Sequence, residues 1–513
     1  MNRIAKKYLF VCLAVSVFLA GGCIYNQSVT ASAASAPSAA KSLVAAIGQT
    51  RKIKVNENDS SIQSKAFKST NSKIAVVSKK GEVTAKKAGK CKIKITVRYF
   101  RKGKNLTKTL VTKMKAVVPS AADAKALKKI IKEQKAAGVK LPDVKSSKYI
   151  WNAGGRLILV DWENYALKGS FSGNDLKKLQ TLYMNPVKLT DIDVSGCKEL
   201  TWFDCSRFTY GKGGGKLKYL NAGGCEKLET LLCDENSLQE IDVSGCKELI
   251  ELSCSYNPIG EIDVSGCKKL RFLGCKSNGL EKLDLSSNKD LMSLDCKGNW
   301  LTEMDLNNNK KLELLDCENN RLEKLDISGC KALEGLSCVN NRLTELDIKN
   351  NKKLGQLWCW ENQIAELDVS NNKELWELSC GQNQLKELNI SSCKKTLKHF
   401  FCSENQLTKL DIRGCKKLER VECAGNQLTK LMIGSQKKLW ELFCGGNQLK
   451  QLDVSGCKKL EILDCIWNPL TKLNLSACKK LEELYCTKKV KLKGVPKKCY
   501  VKRTDKKSNF GDM

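Results

Sequence analysis

Leucine recurs along most of the chain at a fixed interval, with polar residues filling the positions between. One unit has 21 residues and follows the pattern LxxLxCxxNxLxxLDxSxCxx, of which residues 312–332 are a representative copy. Neither a helical period nor strict alternation holds across a unit, so we interpret each unit as one coil of a solenoid. We count 15 units over 179–486, with Thr396 as one extra residue. The leucines at places 1, 4, 11 and 14 of the unit are predicted to point inward and to stack on their copies.

Cysteine and asparagine form columns of their own in this repeat. Place 6 is Cys in 14 units, place 19 is Cys in nine, and place 9 is Asn in twelve. Stacked Asn side chains are expected to satisfy backbone groups that each turn of the coil buries. Coils lie about 4.8 Å apart, but parallel side chains hold their Cβ atoms farther apart than the roughly 3.8 Å that a disulfide prefers. We therefore predict free buried thiols, with disulfides or zinc as the alternatives.

The residues before the repeats follow two other patterns. Residues 42–118 alternate between apolar and polar as strands do, with Gly81 and Gly89 at turns, which predicts a small antiparallel sandwich. A helical period over 126–134 and a strand-like run over 156–162 follow. We predict that 121–178 form a short helical cap that covers the core of the first coil.

The amino-terminal end has the features of an export signal. A basic stretch at residues 1–7 precedes an apolar run at 8–22, and Ala31-Ser32-Ala33 fits a cleavage site, which predicts a signal peptide at 1–33. Alternatively, Cys23 carries a lipid, although Ala20 stands where a lipidation motif usually has a branched apolar residue. We expect a secreted or cell-surface protein without a transmembrane helix after signal removal.

Charge and composition narrow the function. Of the net charge of +34, residues 34–120 carry +18 and the predicted cap or tail at 487–513 carries +8. For an exported protein this charge favours anionic cell-wall polymer as a partner, and the absence of an aromatic-basic motif argues against nucleic acid. His399 is the only histidine, which removes most general-base and zinc chemistry. We predict no enzyme, no catalytic residues, no metal site and no cofactor.

Two segments resemble known families. Residues 69–77 and 80–89 resemble the bacterial immunoglobulin-like domain of group 2, with Phe67 where that family often has Trp. The repeats resemble leucine-rich repeats of the nested 21-residue bacterial class. The resemblance implies a mostly β protein, in which a small Ig-like sandwich precedes a leucine-rich-repeat solenoid with parallel strands. It also implies a concave face that binds proteins or glycans, and no catalysis.

Candidate binding residues lie at place 5, which is predicted to face the concave surface. In the later units this place is aromatic in every second coil, at Trp358, Phe401, Phe443 and Tyr485, and Trp360 adds an aromatic ring at place 7. Aromatic rings can stack on sugars or hold a peptide. We therefore expect an exported bacterial adhesion or binding protein with a glycan or protein ligand. The alternative is a structural envelope protein held on anionic wall polymer by its basic Ig-like domain.

The aspartates at place 15 have three open interpretations. They can accept backbone N–H groups in the turn that follows, they can pair with lysines at places 20 and 21, or they can bind calcium.

Overall fold

A computed structural model describes residues 36–56, 61–207 and 215–504. The predicted signal peptide, Cys23, most of the insertion at 206–216 and the last nine residues lie outside the described residues. The described chain forms two compact units. The first extends to Asn185 and includes Gly196–Trp202, and the second contains Pro186–Ser195 and the chain from Phe203 onward. In the described residues, no helix has the length and apolar character that a bilayer crossing requires.

The first unit begins with a β-sandwich. Its strands are β1 Ser38–Ala39, β2 Ser42–Ala46, β3 Thr50–Lys52, β4 Val55–Asn56, β5 Ser61–Ser69, β6 Ala75–Val77, β7 Glu82–Ala85, β8 Gly89–Arg101 and β9 Lys104–Val117. One sheet has the order β2-β9-β8-β5 and the other has the order β3-β7-β6. The pairs are antiparallel as predicted, except that β2 runs parallel to β9.

The core of this sandwich comes from alternate residues of its strands. Ile93, Ile95 and Val97 of β8 are fully buried, while Lys94 and Thr96 between them are exposed. Phe67 packs against this core from a partly buried position. Its ring lies under Gly81, where an added Cβ would come within 2.8 Å of the ring, so this site needs glycine on steric grounds as well as for its φ of 80°.

The segment after the sandwich contains one helix and more strand than we predicted. Helix α1 (Ala121–Ala136) buries Leu127 and Ile130, and Gly138 follows it with a φ of 80°. Strand β10 (Tyr149–Trp151) pairs antiparallel with the 16-residue β11 (Leu157–Ser172). The buried carboxylate of Asp123 ties helix to strand, because it accepts both Nε and Nη2 of Arg156 and the backbone N–H of Leu157.

The second unit is a solenoid of short parallel strands. The strands from the end of the first unit onward are β12 Thr181–Asp193, β13 Trp202–Asp204, β14 Tyr219–Asn221, β15 Thr230–Leu232, β16 Glu240–Asp242, β17 Glu251–Ser253, β18 Phe272–Gly274, β19 Ser293–Asp295, β20 Glu303–Asp305, β21 Leu314–Asp316, β22 Lys324–Asp326, β23 Gly335–Ser337, β24 Gln356–Trp358, β25 Glu377–Ser379, β26 His399–Phe401, β27 Lys409–Asp411, β28 Arg420–Glu422, β29 Lys430–Met432, β30 Glu441–Phe443, β31 Ile462–Asp464, β32 Lys472–Asn474, β33 Glu483–Cys486, β34 Lys491–Lys493 and β35 Tyr500–Arg503. A short 3-10 helix, Ser391–Cys393, lies just before the extra residue Thr396.

Places 3 to 5 of each coil make the main row of strands. Leu315 pairs with Leu336, which pairs with Leu357, so neighbours in the sheet are 21 residues apart in sequence. The central residue of each strand points into the core, and the two residues on either side of it point away. Places 13 to 15 add shorter parallel pairs, such as β20 with β22. Beyond the last repeat, β34 and β35 continue the two rows by pairing with β32 and β33.

The cysteine columns are buried and reduced, as predicted. Every cysteine at places 6 and 19 is a free, buried thiol. The thiols also act as weak hydrogen-bond donors: Cys317 Sγ donates to the carbonyl of Ser337 on the next coil, and Cys330 Sγ donates to that of Leu306 on the previous coil. Where place 19 is Asn, as at Asn351, the amide donates to the corresponding carbonyl. The thiol at place 19 therefore replaces a donor as well as filling space.

The asparagines at place 9 join neighbouring coils, also as predicted. Asn362 Nδ2 lies 2.9 Å from the carbonyl oxygen of Cys338 on the previous coil and 3.2 Å from that of Cys359 on its own coil. Its Oδ1 accepts the backbone N–H of Leu343 at 3.0 Å. One buried amide thus satisfies groups on two coils, and the same contacts recur along the column.

Candidate functional site

The candidate site lies on the strand face, by which we mean the side chains at places 3, 5 and 7 of the main strand row. These side chains flank the buried central leucines and point out of the core. Sheet register places Trp358 beside Ser379, Ser379 beside Phe401, and Phe401 beside Glu422. Side chains at place 5 of adjacent coils are therefore direct neighbours, about 4.8 Å apart at the backbone.

The five residues predicted as a binding patch all lie on this face. Trp358, Phe401, Phe443 and Tyr485 are half-buried, and Trp360 is 38% exposed. Glu422 separates Phe401 from Phe443, and Asp464 separates Phe443 from Tyr485. The predicted alternation is thus present, with aromatic rings about 10 Å apart on every second strand.

Contacts between neighbouring rings link the residues in the middle of this patch. The ring of Trp376 meets that of His399 edge-on with centroids 6.2 Å apart, and His399 lies 6.4 Å from Phe401. The guanidinium carbon of Arg420 lies 5.2 Å from the centroid of the Phe401 ring. This cation–π contact helps to hold the ring in one orientation.

Arg420 is itself held by two carboxylates, a group that the sequence analysis missed. Its Nη2 lies 2.5 Å from Oε1 of Glu422, and its Nε lies 2.5 Å from Oε2 of Glu441. The Glu441 side chain is 8% exposed, so the pair is largely removed from water. Burial raises the pKa of Glu422, and Arg420 opposes that rise. Arg420 and Glu422 lie on β28 and Glu441 lies on the adjacent β30. Arg420 is the only arginine in its repeat column, which is why the pattern did not single this group out.

A second group on the same face is charged rather than aromatic. Lys276 Nζ lies 2.6 Å from the buried Asp295, and Lys297 pairs with Glu318. Burial, followed by the nearby charges of Glu318 and Asp295, raises the pKa of Asp316 to about 7. The strand face therefore changes along the solenoid from an ionic half to an aromatic half.

Place 7 holds small residues beside the aromatic row. Between Trp360 and Ile466, these residues are Gly381, Ser403, Ala424 and Gly445. Gly381, Ala424 and Gly445 are buried, so this place packs between neighbouring coils here and does not extend the exposed aromatic surface.

The far end of the patch differs from its centre. The hydroxyl of Tyr485 donates to Oε2 of Glu483 at 2.8 Å. Asp464, next to it, is 3% exposed, and burial raises its pKa to about 6. Tyr485 is thus engaged within the protein, whereas Trp360 at the other end is open to solvent.

The aspartates at place 15 have a structural role. The Oδ1 of Asp263 accepts the backbone N–H of Ser265 at 2.8 Å, and the same contact recurs two residues after most place-15 aspartates. This hydrogen bond lowers the pKa of Asp263 and Asp284. Within residues 36–56, 61–207 and 215–504, no cluster of three or more His, Cys, Asp or Glu side chains could hold a metal ion.

Comparison with known proteins gives one family match and several solved structures. Residues 35–108 match the family model of the bacterial Ig-like domain (group 2). The functional domain of InlJ from Listeria monocytogenes, which includes a cysteine ladder, is 32% identical, with a TM-score of 0.46; the match covers 52% of this chain and 64% of that one. An LRR protein from Leptospira interrogans is 22% identical over 64% of this chain and 95% of its own, with a TM-score of 0.49. No curated protein matches the chain significantly.

Three observations establish the architecture. The amino-terminal sandwich coincides with the Ig-like match. The repeats place one parallel strand every 21 residues, with the repeat leucines in the core. The cysteine and asparagine columns lie inside the same stack. The chain contains a bacterial Ig-like domain of group 2, followed by a parallel-strand solenoid of leucine-rich repeats.

Proposed function

We propose that the protein is an exported bacterial surface or secreted binding protein that holds a glycan or protein ligand on the aromatic half of its strand face. The observation that supports this most is the row of Trp358, Phe401 and Phe443, with Arg420 stacked on the central ring. A folded core does not require these rings to face outward, and partly exposed aromatic rows mark interaction sites. An aromatic surface with an adjoining guanidinium suits sugar faces or an extended peptide.

The test begins with a ligand search using the full chain on glycan and extracellular-protein arrays. Replacing Trp358, Trp360, Phe401 and Phe443 together by Ala should weaken binding of any ligand found by at least about 30-fold, because central aromatic residues contribute about 2 kcal/mol or more each. Affinity is measured by calorimetry, and the melting temperature is recorded for each variant.

The matched control removes two exposed aromatic residues that lie off this patch, through Tyr256→Ala and Trp300→Ala. Both are about half exposed, at 52% and 49%, and the control should bind as the unaltered chain does. A ligand that keeps its affinity for the four-residue variant contradicts the proposed patch. Single variants at Trp360, the most exposed of the four, separate loss of contact from loss of stability.

A structural role in the envelope is the competing proposal, supported by the charge of the Ig-like domain. In strand β8, Lys90, Lys92 and Lys94 alternate with apolar residues and are exposed, as are Lys65 and Lys68 of β5. If anionic wall polymer holds the protein there, salt should extract it from isolated cell walls. Retention in high salt together with a ligand on the strand face favours the first proposal.

A further inference from the structure

A second surface of the solenoid carries a regular charge that the proposed ligand site does not use. Places 20 and 21 of the last five coils contain lysine without exception. All ten side chains are exposed, and we call them the lysine row: Lys394, Lys395, Lys416, Lys417, Lys437, Lys438, Lys458, Lys459, Lys479 and Lys480. They lie in the turn between the buried residue at place 19 and the leucine at place 1.

The earlier coils show how close these positions lie to one another. Lys269 Nζ lies 2.6 Å from Oε2 of Glu248, and Lys311 Nζ lies 2.6 Å from Oδ1 of Asp290. Both pairs join place 21 of one coil to place 21 of the next. Side chains at this place therefore reach one another directly from coil to coil.

The turn has the same backbone geometry in the late coils. The N–H of Leu270 donates to the carbonyl of Cys267 at 3.1 Å, and that of Leu460 donates to Cys457 at 3.1 Å. The lysines of the row thus occupy the positions that ion pairs occupy earlier in the solenoid. In the seven coils from Cys246 to Asn372, ten lysines share these places with three acids, whereas the last five coils have ten lysines and no acid.

The charges of the lysine row lie close enough together to repel one another appreciably even in water. In water, two unit charges about 7 Å apart interact with an energy equal to RT. The neighbouring place 2 adds Lys398 and the acids Glu419, Glu461 and Glu482, which gives a net charge of eight, spread over five coils, or about 24 Å. The row then has about one charge per 3 Å, which is dense enough to hold counterions that a polyanion would release.

The ammonium groups of the row favour one class of anionic ligand over others. Lysine offers a mobile point charge and no planar fork, so it suits a flexible chain of phosphates better than the bidentate capture of a carboxylate. No aromatic residue stands at places 20 and 21 of these coils, and the neighbouring place 2 holds a single one, Trp440, so the row lacks the series of stacking rings that single-stranded nucleic acid requires. We propose that the lysine row binds a linear phosphodiester polymer that runs along the solenoid axis. This proposal does not depend on the ligand of the strand face.

The test measures binding of the full chain to poly(glycerol phosphate), with orthophosphate and heparin as separate probes. A row variant replaces Lys417, Lys438, Lys459 and Lys480 by Gln. A control variant removes the same charge from the Ig-like domain by replacing Lys52, Lys54, Lys92 and Lys94, which are also exposed. Binding is measured at salt concentrations from about 50 to about 300 mM.

The row variant should bind poly(glycerol phosphate) at least tenfold more weakly. Its plot of log affinity against log salt should be flatter by about 3, because each phosphate contact contributes about 0.7. Replacing the same four lysines by Arg should retain binding, and neutralising them should not lower the melting temperature, since like charges lie side by side there.

Three results would overturn the proposal. The first is unchanged binding by the row variant. The second is an equal loss in the control variant, which would mean that affinity follows net charge. A loss in the control variant alone is a case of the first result and would assign the polymer to the Ig-like domain. The third is tight binding of heparin with none of poly(glycerol phosphate), which would assign a sulfated glycan instead.

Discussion

Raising the pH from 8 to 10 under reducing conditions is expected to unfold the solenoid. Burial raises the pKa of all fourteen place-6 thiols above the ordinary value of 9.0. For Cys359 and Cys423 the pKa rises to about 12. The folded protein therefore keeps these thiols neutral at a pH where the unfolded chain ionises them.

The direction in which stability changes with pH follows from proton linkage. Above pH 9 the unfolded chain binds fewer protons than the folded one, so stability is complete below that pH and falls as pH rises toward the folded pKa. At pH 10 each thiol that stays neutral in the fold removes about 1.4 kcal/mol. Thirteen of them, all except Cys486 beside Arg503, together remove on the order of 18 kcal/mol, which exceeds the roughly 5–15 kcal/mol typical of a folded domain.

Urea midpoints measured between pH 7 and pH 10 check this expectation. A variant with Ala at Cys338, Cys359 and Cys380 should lose stability less steeply, by about 4 kcal/mol per pH unit above pH 9. Leu357→Ala is the matched control, because it destabilises the same coils through a cavity without removing a titrating group. Equal midpoints at pH 8 and pH 10 would show that the thiols ionise without unfolding.

Sequence reasoning reached the columns of the repeat because each column is repeated in many coils. The buried thiols, the asparagines that bind carbonyls and the aspartates that accept turn N–H groups each recur at one place of the unit. Residues of one column have the same surroundings in many coils, so the role of Asn362 could be predicted from the eleven equivalent asparagines. The place-5 aromatic residues were found in the same way, through their alternation.

Contacts that occur once were not accessible in this way. Arg420 meets Glu441 and Phe401 because three adjacent strands present unlike residues to one another. The raised pKa of Asp316 likewise depends on Glu318 and Asp295 together with burial. In the first unit, the parallel pairing of Ser42–Ala46 joins strands that are distant in sequence, and alternation alone cannot distinguish a parallel neighbour from an antiparallel one.

Replacing Asn362 by Ala should give a large loss of stability from a single polar substitution in the middle of the solenoid. The change leaves the backbone N–H of Leu343 without its acceptor. It also removes one of the two asparagine amides that donate to the carbonyl of Cys338 and one of the two that donate to that of Cys359. The unpaired N–H is buried and costs about 1–3 kcal/mol, and each lost hydrogen bond to a carbonyl costs about 1 kcal/mol. We expect a total loss of about 3–5 kcal/mol.

The loss should be local in origin, since each coil contacts only its neighbours. Hydrogen exchange should increase first at Leu343 and at the flanking coils, and the urea midpoint of the full chain should fall. Asn371→Ala is the matched control: it removes the same amide from an exposed position nine residues away and should change stability by less than about 0.5 kcal/mol. If the two variants unfold at the same midpoint, the asparagine column fills space without joining the coils. A fall for Asn362→Ala alone, with faster exchange at Leu343, identifies the buried amide as the hydrogen-bonded connection between one coil and the next.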